Sequence, residues 1–365
     1  MSFRSGSRHM KHNGPNDTEA TMTTQVESGG RGENADLVSA AQAGDESAFG
    51  ELTARYRLEL QAHCYRMLGS YHESEDMVQE TFLRAWRKRE AYQGRATFRA
   101  WLYRIATNAC LDLLDQRSRT PLTGDGALPG DPGAAPLPAV AVPWLQPCPE
   151  PLVDAVEAKE TLELAFLAAI QHLSPHQRAV LILRDVLGWS AKETASVLEA
   201  TLASVNSTLQ RARPALKKHL PRRRIDWTSP PGSSEQDRAV LRRYMAALDN
   251  ADADALGDLL RADARCGQQS GAGGNMGPDP IWYSGRDTIL GAWSPALRGD
   301  DAVEFATRAT SANGQLAVAT YTREPGTETY RAFGLTVLDV VDGLIAELGV
   351  FTPDLYPAFG LPRSV

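Results

Sequence analysis

Residues 190–213 read SAKETASVLEATLASVNSTLQRAR, and this stretch decides the fold of the segment around it. Ser190 and Glu193 have the spacing of a capping box, which predicts a short helix that ends near Leu198. Thr201 is a good N-cap for a longer helix that runs to about Lys218. A short helix, a tight turn and a longer helix make up the helix-turn-helix pattern.

The second helix of this pair carries side chains that suit nucleic acid. Near its N-terminus stand short or bidentate hydrogen-bonding residues of the kind that reads base edges in a major groove: Ser204, Asn206, Ser207, Gln210 and Arg211. From Arg211 to Arg224, seven of 14 residues are basic and none is acidic, which suits phosphate oxygens. The alternative is a solvated basic face on a structural helix pair. The two caps, the turn and the polar residues on one side of the second helix favour binding of duplex DNA over this alternative.

The chain as a whole is long enough for two or three domains, with 365 residues of which 42% are hydrophobic. No apolar run approaches the roughly 18 residues of a membrane span, and an apolar signal segment is absent. We therefore expect a cytoplasmic protein with no membrane partner. The four cysteines lack metal-ligand spacing, so we expect buried thiols and neither a metal nor a cofactor.

Charge is distributed unevenly along the chain. The net charge is −7, yet residues 84–119 hold nine basic and three acidic side chains, and residues 156–224 hold 11 and six. Residues 225–365 hold 11 basic and 19 acidic side chains, a net −8. Because nucleic-acid binding follows the local patch, an acidic protein with two basic blocks can still bind DNA.

The N-terminal half divides at shifts in composition. Residues 1–34 are polar and Gly-rich, and we expect them to be disordered. Residues 35–119 lack proline and predict an all-α domain. Residues 120–153 are rich in proline and predict an extended, semi-rigid linker. Helices resume over 154–224, where Ser174 is an N-cap, and form a second all-α domain.

The C-terminal part has a different pattern. Residues 225–234 predict a second linker, residues 235–353 a third domain and residues 354–365 a tail. Two helices come first, and a period of two follows, with turns at Asn313–Gly314 and Asp342–Gly343. The predicted strands are Ala302 to Thr310, Gln315 to Arg323, Thr329 to Val341 and Leu344 to Phe351. Helices followed by an antiparallel meander predict an α+β domain.

The first basic block mixes aromatic and basic side chains. Tyr92, Phe98, Trp101 and Tyr103 alternate with arginines, among them Arg95, Arg99 and Arg104. Trp101, Arg104 and Asn108 share one helical face. Aromatic rings beside arginines suit unstacked bases and single-stranded backbone. The alternative is that the aromatic rings pack in the core. Core packing is favoured for Phe98, whereas for Trp101 core packing and base contact are equally favoured.

An acidic face precedes this block. Asp76, Gln79 and Glu80 lie at i, i+3 and i+4, opposite the side that carries Val78 and Phe82. Such a face suits a basic protein partner, and alone it would be read as a solvated helix surface.

Longer strings give a resemblance to a known family. The strings DMVQETFLRAW (76–86) and FRAWLYRIATN (98–108) resemble region 2 of the extracytoplasmic-function sigma factors. The strings LSPHQR (173–178), LGWS (187–190) and VNSTLQR (205–211) resemble region 4. The resemblance implies a subunit that binds the clamp and flap regions of the RNA polymerase core and directs promoter-specific transcription initiation.

The resemblance also implies roles for single residues. Core polymerase would be bound by Asp76, Gln79, Glu80 and Leu83. The minus-10 element would be melted and read by Tyr92, Arg99, Trp101, Arg104 and Asn108. The minus-35 element would be read by Ser204, Asn206, Ser207, Gln210, Arg211 and Arg213. Asn206 stands where some relatives carry arginine, so the preferred minus-35 sequence does not carry over.

The third domain goes beyond the minimal family. Its order of elements resembles a SnoaL-like cone, which the actinobacterial G-like and J-like sigma factors also carry. Asp249, Asp287 and Asp339 are candidate bases for an enzyme, but nothing in the sequence places them in a pocket. Met276, Trp282 and Tyr283 are candidate lining residues of a cavity for an unidentified small ligand, with core packing as the alternative.

Regulation is therefore favoured over catalysis for the extension, and the chain is predicted to be no enzyme. We predict that the acidic extension contacts the two DNA-binding domains and tunes their activity. Two other hypotheses stay open at this point. One is an autonomous DNA-binding regulator that uses only the helix-turn-helix, and the other is an enzyme fused to a DNA-binding module.

Overall fold

The computed structural model describes residues 35–94, 96–119, 139–220, 234–298, 302–324 and 326–365. The N-terminal residues that we predicted to be disordered and most of the Pro-rich segment lie outside these ranges. Within them, no helix combines the length and the apolar character that crossing a membrane requires. All four cysteines are buried and unpaired, as expected.

Helical domain 1 is a bundle of four helices: α1 (35–42), α2 (Glu46–Leu68), α3 (Tyr71–Arg87) and α4 (Phe98–Arg119). The Asp45 carboxylate caps α2 by accepting from the backbone N–H groups of Ser47 and Ala48. Gly69, with φ of 73°, ends α2, and Ser70 caps α3. The prediction that this domain is all-α is confirmed.

Helical domain 2 consists of α5 (Glu150–Asp154), α6 (Leu164–Gln171), α7 (Pro175–Leu181), α8 (Ala191–Val197) and α9 (Leu202–His219). Capping boxes form at Ser174 and at Ser190, and Thr201 caps α9 through the backbone N–H of Ser204. Helices α8 and α9 pack against each other. The helix-turn-helix prediction is confirmed.

Residues 139–148 form a segment that we call the strap. Its apolar side chains are buried: Val140, Val142, Leu145 and Cys148. Gln146 pins it to helical domain 1, because its Oε1 accepts from Ser70 Oγ (2.9 Å) and its backbone N–H donates to the carbonyl oxygen of Gly69 (2.9 Å). The prediction of an extended linker is therefore wrong for residues 139–153, where the scattered apolar residues are part of a core and α5 is helical.

The C-terminal domain contains α10 (Glu235–Asp249), α11 (Ala253–Leu259) and α12 (Arg286–Arg298) and a six-stranded sheet. Its strands are β1 (Leu260–Gln268), β2 (Ile281–Ser284), β3 (Glu304–Ala312), β4 (Gln315–Arg323), β5 (Arg331–Val341) and β6 (Leu344–Phe351). The order is β2-β1-β6-β5-β4-β3. Two all-α domains and an α+β domain confirm the predicted fold class.

The predicted antiparallel meander is confirmed as β3 to β6. Two other features of this domain differ from the predictions. The sheet also contains β2 and β1, and β1 lies parallel to β6. We missed β1, β2 and α12, whose sequences contain polar residues, glycines and Pro295 that obscure the period. Residues 354–365 are not a free tail. A 3-10 helix over Pro353–Phe359 buries Leu355 and Tyr356, and Ser364 forms a bridge with Arg331.

The two faces of the sheet belong to different cores. On β4, Val318 faces the core that is shared with α10 to α12, whereas Ala317, Ala319 and Tyr321 face the opposite side. That opposite core continues without a break through the strap into both helical domains. One apolar core therefore joins the outer face of the sheet to the helix-turn-helix unit and the N-terminal bundle.

Asn313, at the β3–β4 turn, is the polar junction of this core. The residue is 1% exposed and has φ of 56°. Its Oδ1 accepts from the backbone N–H of Cys148 (2.9 Å), and its Nδ2 donates to the carbonyl oxygen of Leu162 (2.6 Å) and to the Tyr65 hydroxyl (2.9 Å). A turn residue of the C-terminal domain thus reaches the strap and both helical domains.

We expect Asn313→Ala to destabilise the protein by about 3 kcal/mol more than Asp342→Ala, because it leaves buried polar groups without partners. Asp342 is the matched control: it has the same left-handed turn conformation, with φ of 53°, and is exposed. Urea denaturation of both variants measures the difference. Equal losses of stability would mean that the three hydrogen bonds contribute nothing beyond the turn.

Candidate nucleic-acid interface

Helix α9 presents its predicted recognition residues to solvent. Val205, Leu209 and Ala212 are buried against the rest of helical domain 2. The opposite side carries exposed polar and basic residues: Ser204, Asn206, Ser207, Gln210, Arg211 and Arg213. Because the buried residues recur at helical spacing, the six predicted residues lie together on a surface that a DNA groove can reach.

Two basic side chains of α9 form hydrogen bonds or ion pairs within helical domain 2. Arg213 forms a bidentate ion pair with Asp185 at 2.7 and 2.9 Å. Arg211 Nε donates to the carbonyl oxygen of Ser207 at 3.4 Å. The last arginines of the predicted basic run, Arg222 to Arg224, lie outside the described residues.

The aromatic residues of the first basic block form a cluster at the start of α4. The Tyr92 and Trp101 rings are 5.2 Å apart, and Phe98 lies 5.5 Å from Trp101. All three are half-buried, whereas Tyr103 is buried in the core. Trp101 is therefore part of a packed cluster that also reaches the surface, and its role in DNA binding stays a prediction. The side chain of Arg95 lies outside the described residues.

Helical domain 2 packs on this same surface of α4. The Trp189 ring lies 5.0 Å from Tyr103, and Arg104 forms an ion pair with Glu199 in the turn between α8 and α9. Arg99 pairs with Glu59 at 2.8 Å and also lies over the Trp189 ring. Two of the predicted minus-10 residues are thus engaged within the protein, and sequence reasoning missed the partners Trp189 and Glu199.

A groove of about 940 Å³ separates the two helical domains beside these contacts. Tyr92, Phe98 and Arg99 line one wall, and Leu187 and Trp189 line the other. The groove therefore opens onto the aromatic cluster from the side of the helix-turn-helix.

The acidic face of α3 remains accessible in this arrangement. Asp76 and Gln79 are exposed, and Glu80 is half-buried and pairs with Arg84 at 2.7 Å. Leu83 lies one turn further along and is 51% exposed, which makes it one of few large apolar side chains that the described residues leave in water. An apolar residue beside carboxylates is a typical protein-binding surface.

The comparisons with known families follow this division of the chain. Residues 52–120 match Sigma-70 region 2, residues 163–216 match Sigma-70 region 4, and residues 241–348 match the SnoaL-like domain. The extracytoplasmic-function RNA polymerase sigma factor SigG of Mycobacterium tuberculosis H37Rv is 40% identical over 333 residues, covering 88% of this chain and 85% of that protein. The chain belongs to the extracytoplasmic-function sigma factors.

Two further relatives agree with this assignment. The sigma factor SigW of Bacillus subtilis is 30% identical over 177 residues, which cover 48% of this chain and 91% of SigW. The crystal structure of Mycobacterium tuberculosis SigJ superposes with a TM-score of 0.53 at 26% identity, covering 86% of this chain and 99% of that one. As a sigma factor, the protein binds RNA polymerase core and promoter DNA and directs promoter-specific initiation.

The C-terminal domain of this sigma factor contains a cavity, and its lining corrects two predictions. Tyr283 lines the cavity as predicted. Met276 is 91% exposed and Trp282 is 43% exposed, and neither lines it, because Trp282 points to the other side of the short strand β2. Asp249, Asp287 and Asp339, the candidate bases, also lie outside its lining. No metal-binding cluster of His, Cys, Asp or Glu occurs within the described ranges.

A buried histidine on α2 is hydrogen-bonded to α4. His63 on α2 is fully buried, and its Nε2 lies 2.9 Å from Thr107 Oγ1. Thr107 Oγ1 donates to the carbonyl oxygen of Tyr103 (2.7 Å), so Nε2 carries the proton and donates to Thr107. Burial, and then the positive charges of Arg66 and Arg99, lower the pKa of His63 to about 3.

This pKa predicts a loss of stability in mild acid. The folded-state pKa of about 3 lies below the ordinary 6.5, so the unfolded chain takes up a proton as the pH falls below 6.5 while the folded chain does not. We expect the stability of the wild type relative to His63→Phe to fall by about 2 kcal/mol between pH 7 and pH 5.

Urea denaturation at both pH values measures this change. His72→Phe is the control, because the His72 side chain is exposed, and this variant should keep the pH dependence of the wild type. The same pH dependence in the wild type and in His63→Phe would contradict the prediction.

Proposed function

We propose that this sigma factor docks on RNA polymerase core through the acidic face of α3, with Asp76, Gln79, Glu80 and Leu83 as the contact residues. The observation that carries this assignment is the exposure of Leu83 beside accessible carboxylates. Apolar anchors rimmed by polar groups account for most of the affinity of protein interfaces. The acidic face of α3 is accessible while the α4 surface is in contact with helical domain 2. Binding of core polymerase can therefore precede binding of DNA.

We further propose that the two promoter elements are contacted by different domains. The α4 surface with Tyr92, Arg99, Trp101, Arg104 and Asn108 would take the minus-10 strand, for which the half-buried aromatic cluster is suited. The exposed residues of α9 would take the minus-35 duplex.

The arrangement of the domains supports a closed, DNA-occluded resting form. Glu199 forms an ion pair with Arg104, and the Trp189 ring packs on Tyr103. The helix-turn-helix unit therefore lies against the surface assigned to the minus-10 strand. Opening requires α8 to leave α4. Exposed ion pairs contribute about 0–1 kcal/mol, so phosphates can replace Glu199 at small cost.

The C-terminal domain is proposed to regulate this opening without catalysis. Gln269 Nε2 donates to the carbonyl oxygens of Val142 (3.2 Å) and Leu145 (2.8 Å) and so holds the strap. Trp144 of the strap donates to Gln171 in helical domain 2 at 3.4 Å. The strap therefore contacts the C-terminal domain and both helical domains. These contacts are apolar and hydrogen-bonded, and they add to the attraction between the acidic C-terminal domain and the basic helical domains that the sequence suggested.

We expect Leu83→Arg to lower the affinity for core polymerase by about ten-fold or more, because it replaces an apolar anchor with a charge that the interface would bury. Leu58→Arg is the matched control, since Leu58 on α2 is 42% exposed and lies outside the acidic face. Binding of labelled protein to core polymerase measures both. Unchanged affinity of Leu83→Arg would count against this docking surface, and binding of neither the wild type nor the variants would favour an autonomous DNA-binding regulator.

A second experiment tests the role of the strap. A Cβ on Gly267 of β1 would overlap the Val140 side chain, whereas Gly291 on α12 has nothing within 4 Å of the corresponding position. We expect Gly267→Ala to displace the strap, free the helix-turn-helix unit and raise run-off transcription by about three-fold or more. Gly291→Ala should leave transcription unchanged. Equal activity of the two variants would argue against control through the strap.

A further inference from the structure

The cavity of the C-terminal domain lies between the helix-bearing face of the sheet and the helices α10 and α12. Its volume is about 340 Å³, which falls within the range of small-molecule sites. Five aromatic rings line its walls, and they come from the helices α10 and α12 and from the strands β2, β3 and β5: Tyr244, Tyr283, Trp293, Phe305 and Phe333.

The cavity walls carry no formal charge. None of the described residues that line it is Asp, Glu, His, Lys or Arg. An ionised ligand group would therefore be buried without a counter-ion, at a large cost in desolvation. The described lining also offers no carboxylate, imidazole or amine as a general base, which favours binding over proton-transfer chemistry.

One polar group in the wall lacks a partner. Thr320 on β4 lines the cavity and is 5% exposed, and its Oγ1 makes no hydrogen bond within the described part of the chain. Buried hydroxyls in native proteins are almost always paired, so an unpaired one on a residue in a cavity wall indicates a missing partner.

We propose that this cavity binds a neutral, largely apolar small molecule with one hydrogen-bonding oxygen, which Thr320 Oγ1 engages. The aromatic walls supply the apolar contact, and the single hydroxyl sets the orientation of the ligand. This site is separate from the surfaces for polymerase and DNA, and its existence does not depend on those assignments.

The position of the cavity connects it to the strap. Gln268 lines the cavity, and its neighbour Gln269 donates to the strap carbonyls. On β6, Val350 lines the cavity, and its neighbour Gly349 packs on Val140. A ligand therefore contacts the two strands that hold the strap, with one layer of backbone between them.

Matched aromatic probes test the proposal on the full-length protein. 2-Naphthol offers a neutral ring system with a hydroxyl, naphthalene lacks the hydroxyl, and 2-naphthoate carries a charge. By isothermal titration calorimetry we expect 2-naphthol to bind about 3- to 10-fold more tightly than naphthalene, the contribution of one hydrogen bond. We expect 2-naphthoate to bind at least about ten-fold more weakly than 2-naphthol.

Three variants locate the site. Thr320→Val should remove the preference for 2-naphthol over naphthalene. Ala296→Phe should place a ring from α12 in the cavity and lower the affinity for 2-naphthol by about ten-fold or more. Ala246→Phe, the same change at an exposed position of α10, should leave binding as in the wild type.

The proposal is overturned if 2-naphthol fails to bind, if 2-naphthoate binds as tightly, or if folded Ala296→Phe binds 2-naphthol as the wild type does. A preference for 2-naphthol that survives in Thr320→Val also overturns it. Circular dichroism reports whether Ala296→Phe folds. If it does not, the smaller Thr320→Val change decides the outcome.

Discussion

The carboxamide of Asn313 is the polar contact on which the arrangement of the domains depends. It satisfies the backbone N–H of Cys148, the carbonyl oxygen of Leu162 and the Tyr65 hydroxyl at one point inside an apolar core. A buried amide that has all its partners fixes their relative positions, because each displaced partner would be left unsatisfied. The strap, helical domain 2 and α2 are therefore held in one register against the C-terminal domain.

The apolar core around this amide has a consequence for the mobility of the domains. Domains that are joined by small polar interfaces move freely, whereas a continuous apolar core resists separation. Here the outer face of the sheet, the strap and both helical domains share one core. The contact between α8 and α4 differs, since it includes the exposed Arg104–Glu199 ion pair beside the ring contact between Trp189 and Tyr103. An exposed ion pair contributes little to stability, so this part of the contact opposes opening only weakly.

The two roles proposed for the C-terminal domain lie on the two faces of one sheet. Alternate residues of β4 face opposite sides, so Thr320 reaches the cavity while Tyr321 packs toward the opposite core. Tyr356 reinforces this boundary, because its hydroxyl donates to the carbonyl oxygens of Thr320 (2.6 Å) and Gly334 (2.9 Å), and both residues line the cavity. The cavity and the strap thus contact the same sheet from its two sides.

The sequence by itself determined the local structure. Caps at Ser174, Ser190 and Thr201 fixed the helix starts, because a capping side chain bonds to backbone only three residues away. The turn at Asn313–Gly314 was equally readable, and so were the exposed polar positions of α9. Tertiary structure alone decided that the Asn313 side chain would join three domains, that Val140, Val142, Leu145 and Cys148 would be buried, and that Glu199 would meet Arg104. These contacts span up to 248 residues, and no local pattern records which distant groups a side chain will meet.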